Sequence, residues 1–181
     1  MNRTVLAATT LAAGIGLLAA GCGGSANGAA ATKSGTETIS GTLTGAQAMA
    51  SNPTFRLTFR GPVNTTADIP IHSQTKGQAN TFKTGAGNLV VTATGPVAST
   101  QRLLSTSTCR FEIGRSQAYT VDGSKSTGQF AGATGNGRAA VTVQATLPKL
   151  SNGKCNTSTS AQPVKNSAMA TFKAAGPLTL K

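Results

Sequence analysis

From Glu37 to the C-terminus, apolar and polar residues alternate in short runs. Phe55, Leu57 and Phe59 interleave with Arg56, Thr58 and Arg60. Leu89, Val91 and Ala93 interleave with Val90, Thr92 and Thr94, and Cys109, Phe111 and Ile113 with Arg110 and Glu112. Val141, Val143, Ala145 and Leu147 interleave with Thr142, Gln144 and Thr146. A period of two is the signature of a half-buried strand, because successive side chains leave opposite faces. Shorter runs predict further strands at 39–43, 69–71, 81–83, 101–105, 118–121, 169–174 and 178–180. Beyond residue 36 no window of helical length carries a period of 3.6, and 46–50 has room for one helical turn.

Turn-forming pairs punctuate these runs: Gly61-Pro62, Gly95-Pro96, Asp122-Gly123, Asn136-Gly137, Asn152-Gly153 and Gly176-Pro177. Asn136-Gly137 lies between Phe130 and the Val141 run, where a tight hairpin turn is expected. Many short strands at close intervals predict an antiparallel β-sandwich, with a small β-barrel as the alternative. The glycine clusters at 85–87 and 132–137 each lead into a strand pattern. They read as turns, because a phosphate loop needs a helix after its glycines. The core is thin: Val, Ile, Leu and Phe make up 27 of the 145 residues from 37 to 181. That share is near the floor at which chains stop folding.

The first 36 residues have a different character. A single Arg3 precedes an uncharged apolar run, 5–20, which is short for a membrane span and has the length of a secretory h-region. It ends in Leu17-Leu18-Ala19-Ala20-Gly21-Cys22. This run resembles the lipobox of bacterial lipoproteins, although Ala19 stands where leucine is usual. The resemblance covers about 22 residues. It implies a signal peptide at 1–21, cleavage before Cys22, and a diacylglycerol thioether (with palmitate-type acylation) on that cysteine. Ordinary secretory cleavage with a free Cys22 is the alternative. Residues 22–36, rich in Gly, Ala, Ser and Thr, form the expected tether, and 37–181 a single β domain.

The three cysteines fit this scheme. An odd count in an exported chain leaves one thiol to explain. Lipidation of Cys22 accounts for it, and Cys109 and Cys155 remain as an expected disulfide in an oxidising compartment. Cys109 is expected to face inward beside Phe111 and Ile113, so that the bond staples a strand to the loop around Asn152 and Cys155.

Material for catalysis is scarce. The whole chain has four carboxylates (Glu37, Asp68, Glu112 and Asp122), one imidazole, His72, and no tryptophan. His72 and Ser73 would diverge in an extended segment, no nucleophile-elbow pattern follows residue 21, and two cysteines with one histidine are too few for a metal site. No cofactor is expected. Once residues 1–21 are removed, 15 basic residues face four acidic ones, a net +11 with the bases scattered. One tyrosine and six phenylalanines make a poor base-stacking surface, so nucleic acid is not an expected partner. The charge points instead to anionic envelope polymers or lipid head groups. Residues 119–150 are similar to segments of uncharacterised secreted β-rich proteins of actinobacteria, a likeness that implies no activity. The expectation is a lipoprotein anchored on the extracytoplasmic face of the cell membrane. It would act as a non-enzymatic binding or structural module. An envelope hydrolase, or a carrier of a lipophilic ligand, is the alternative.

Overall fold

The structure is a computed structural model, and it describes residues 32–50, 52–70, 75–158 and 160–181. The expected signal peptide, Cys22 and His72 lie outside the described residues. Among the described residues nine strands form one antiparallel sheet: β1 (Lys33–Thr44), β2 (Thr54–Arg60), β3 (Thr65–Pro70), β4 (Ala79–Thr84), β5 (Gly87–Ala93), β6 (Ala98–Ser105), β7 (Arg110–Val121), β8 (Thr134–Thr146) and β9 (Met169–Leu180). A 3₁₀ turn at Gly45–Met49 follows β1, and another at Gly128–Phe130 precedes β8. The all-β antiparallel architecture with one disulfide is as the alternation and the cysteines lead one to expect.

The strand order is β3-β2-β1-β9-β8-β7-β5-β4. The two ends of that path, β3 and β4, pack side by side. One sheet therefore curls nearly closed on itself, which is the barrel of the two expected architectures. The longest seam joins β1 to β9, from Lys33 opposite Leu180 to Thr44 opposite Met169. β7 and β8 pair from Arg110–Thr146 to Thr120–Asn136. The sheet forks on β7. Its C-terminal part pairs with β5, down to Tyr119 opposite Ala93, and its N-terminal part pairs with β6, up to Ser116 opposite Ala98. β6 branches off the barrel wall and is exposed along almost its whole length.

The register assigns each turn to an end. One end, the base, collects the turns at 61–64, 85–86 and 122–133. Phe130, Val63, Ala133 and Leu178 close it, each nearly inaccessible to solvent. Ser126 locks the last of these turns: its hydroxyl donates to the Asp122 carbonyl at 2.8 Å and accepts from the Val90 amide at 3.0 Å. The opposite end carries the 3₁₀ turn after β1 and the β5–β6, β6–β7 and β8–β9 connections.

Three local expectations change. β1 begins at Lys33, so four residues assigned to the tether are part of the sheet, Lys33 to Thr36 opposite Leu180 to Pro177. Asn136-Gly137 is not a hairpin turn: it lies inside β8, opposite Thr120 and Tyr119. Gly176-Pro177 likewise lies inside β9, which is one strand and not two. These glycines are needed for space. A Cβ on Gly137 would run into the Ala175 carbonyl and the Tyr119 hydroxyl, and one on Gly176 into the Asn136 carbonyl. Glycine in a strand interior marks close backbone approach as well as turns, and here the barrel wall is pinched at its base. Gly137→Val is therefore expected to destabilise the domain by about 1–3 kcal/mol, read as a lower urea midpoint.

The disulfide joins Cys109 to Cys155 with the Cα atoms 5.2 Å apart. Cys109 is fully buried, but it precedes β7 with φ of 55° and stands apart from the barrel core beside Phe111. Its carbonyl accepts from the Leu147 amide at 2.9 Å, and Cys155 bridges to Lys149. The bond thus pins the long β8–β9 connection to the start of β7.

Candidate ligand cavity

The inward positions follow the alternation strand by strand. β7 contributes Phe111, Ile113, Arg115, Gln117 and Tyr119. β8 contributes Ala139, Val141 and Val143, and β9 Ala170, Phe172 and Ala174. Eight strands enclose a space that side chains just fill, or that holds one small ligand. Here the space is not filled. Ala93, Ala139, Ala170 and Ala174 stand at positions where larger residues would meet across the barrel, and a cavity of about 510 Å³ remains. That volume is within the roughly 300–1,000 Å³ of ligand pockets.

Aromatic rings shape the interior. Phe55 and Phe172 meet with centroids 6.2 Å apart, and both line the cavity. Phe59 and Phe82 meet edge to face, also at 6.2 Å, and Phe59 belongs to the packed core below it. Around the rim are Met49, Ala50, Pro53 and Val97. Met49 and Val97 are large apolar side chains left exposed beside an apolar interior.

Polar groups in the lining are few. Asn80, Arg115, Gln117 and Tyr119 are the principal ones. Gln117 donates from Nε2 to the Gly95 carbonyl at 3.0 Å. Burial pushes the Tyr119 hydroxyl above its ordinary range, with the Glu37 carboxylate adding to the effect. Among the described residues Arg115 is the one charged side chain lining the cavity, and it is also exposed to solvent.

No carboxylate lines the cavity. Asp68 pairs with Arg56 at 3.4 Å on the outer surface. Glu112 pairs with Arg102 at 2.6 Å and accepts from Gln144 Nε2 at 2.7 Å; the Gln144 and Arg102 hydrogen bonds hold its carboxyl below the usual range. Asp122 is held at about 2, first by the Lys125 ammonium and then by the Ser124 hydroxyl. Each engages different partners. Among the described residues no group of three His, Cys, Asp or Glu side chains is placed to hold a metal ion.

Glu37 is the exception in its burial. Its Oε2 accepts from the Val63 amide at 2.9 Å, while Oε1 is buried without a hydrogen-bond partner. Desolvation raises its carboxyl above the ordinary 4.5, against the opposing pull of the Val63 and Arg60 amides. The folded state therefore keeps a proton that the unfolded chain has already released. This contribution leaves the domain most stable below the ordinary carboxylate range, and stability falls as pH rises through the raised value. Asp122 acts in the opposite sense in a separate window: its stabilisation is present above 3.8 and is lost as pH falls toward about 2. Glu37→Gln is expected to remove the decline above pH 4.5, whatever it does to absolute stability. Urea midpoints of both proteins between pH 4 and 7 would show it, and parallel curves would refute it.

The disulfide pair is legible in the sequence, and the cavity residues are not. The available signal was the run of alanines on inward positions of β8 and β9, which by itself reads only as a weak core. Comparisons with protein-family models, with curated proteins and with solved structures give no match to this chain.

Proposed function

We propose that this chain is an extracytoplasmic lipoprotein, held to a membrane through Cys22, whose barrel binds one apolar small molecule in its interior. The cavity carries this reading: about 510 Å³ of space walled by Phe, Val, Ile and Ala, with exposed apolar side chains at its rim. Such a space in a chain already short of large apolar residues lowers stability, because side chains around a void lose their dispersion contacts. A ligand would restore those contacts. Of the expected roles, the carrier of a lipophilic ligand is the one that gives the empty interior a use, and it makes the binding module concrete. Hydrolysis finds no matching support among the described residues, where no carboxylate lines the cavity. The net charge of +11 after residue 21 suits residence beside anionic envelope material.

Exported protein carrying Cys22→Ser tests the binding step free of lipid and detergent. Nile red is expected to bind one per chain with a blue-shifted emission. Val141→Trp, which fills the cavity from the middle of β8, is expected to lower the affinity at least tenfold while the chain stays folded. Absence of binding to the unmodified cavity would end this reading. The intact mass of membrane-extracted native protein tests the anchor separately: a diacylglycerol-modified N-terminal Cys22 is the expected result, and a free thiol would overturn it.

A further inference from the structure

We infer that the ligand is an amphiphile with a single acyl chain and an anionic head, and that Arg115 is the residue that selects the head. The inference rests on the cavity reading above and adds a chemistry to it. Arg115 sits on β7 opposite Val141 of β8 and Ser99 of β6. The fork of the sheet is at this level, because β5 has ended at Ala93 opposite Tyr119, four residues along β7. Register turns the side chain toward the interior, on the same face as Ile113 and Gln117. It lines the cavity and is open to solvent, so its guanidinium sits where the apolar space meets water.

The one charged side chain in the described lining, placed at that boundary, divides the ligand in two. The walls are mostly apolar and favour an apolar body, and among the described residues no acidic side chain lines the cavity to draw a cationic head there. A guanidinium presents a rigid fork of donors that matches the paired oxygens of a carboxylate or phosphate. A space of about 510 Å³ has room for one long acyl chain. Carboxylate and phosphate heads share the chemistry, so either a fatty acid or a monoacyl phosphate would satisfy it.

Displacement of Nile red from the exported Cys22→Ser protein tests this with three ligands of equal chain length: dodecanoic acid, dodecyl phosphate and dodecanol, at a pH where the acid is ionised. At least one anion is expected to displace the dye about tenfold better than the alcohol, and the better of the two identifies the head. Arg115→Gln should abolish that preference while leaving dodecanol unchanged, and Arg115→Lys should keep part of it. If the alcohol binds as well as both anions and Arg115→Gln changes nothing, the head-group inference fails and the cavity reading stands. If no ligand displaces the dye, or the dye does not bind, both fail.

Discussion

Reducing the Cys109–Cys155 bond will destabilise the folded domain by about 4 kcal/mol. The two cysteines are 46 residues apart, and opening so long a loop returns most of its closure entropy to the unfolded chain. For a domain of this size the loss corresponds to a fall in melting temperature of about 10 °C. Cys155→Ser should reproduce it. Cys109→Ser should do at least as much harm, because it also leaves a hydroxyl in a site with no solvent exposure. The expected damage is local in origin: the β8–β9 connection has little regular structure, and the bond is the covalent tie that fixes it to β7. Melting scans with and without reductant decide the matter. Coincident curves would mean that the hydrogen bonds around Leu147 and Leu150 hold this connection unaided.

Phe59→Ala will cost a similar amount, about 4 kcal/mol, for a different reason. Phe59 is 1% exposed and packs edge-on against Phe82, whose ring also lines the cavity above it. Truncation opens a hole there that the rigid strands on either side cannot close. The same change at Phe172 enlarges a space that already exists, so its signature should differ. Phe59→Ala is expected to shift the urea midpoint with the smaller effect on Nile red affinity. Phe172→Ala is expected to alter both. If both variants weaken the dye equally, the packed base and the open interior are not independent, and the division of the barrel into two zones is wrong.

Local pattern carried most of the fold. The Phe55, Leu89 and Val141 alternations each lie in a strand of the expected phase, because the burial of one face is written residue by residue. Asp122-Gly123 also forms its expected turn, with the Asp122 carboxylate accepting from Ser124 at 2.6 Å and Lys125 at 2.8 Å. Asn136-Gly137 misled because the same dipeptide suits a positive-φ turn and a tight backbone approach. Only the neighbouring strand distinguishes the two, and that neighbour, Gly176, is 39 residues away in sequence. The approach of β3 to β4 was equally hidden, since closure depends on the register and twist of every strand between them. The cavity was present in the composition but carried the opposite sign. Few Val, Ile, Leu and Phe reads as a domain that folds poorly, whereas Ala139, Ala170 and Ala174 on inward positions turn that shortage into a hollow. Arg115 was one of fifteen scattered bases until its strand placed it beside that hollow.

Lys33 and Leu180 pair at the same extremity of the barrel, the one stoppered by Phe130. Twelve strand residues, tilted as barrel strands are, put the far rim about 30 Å away. A lipid on Cys22 would therefore tie the domain down by its floor, with Met49 and Val97 facing outward like the lip of an upright cup. Cargo would pass to and from something above the bilayer surface, and not straight into the leaflet that holds the anchor.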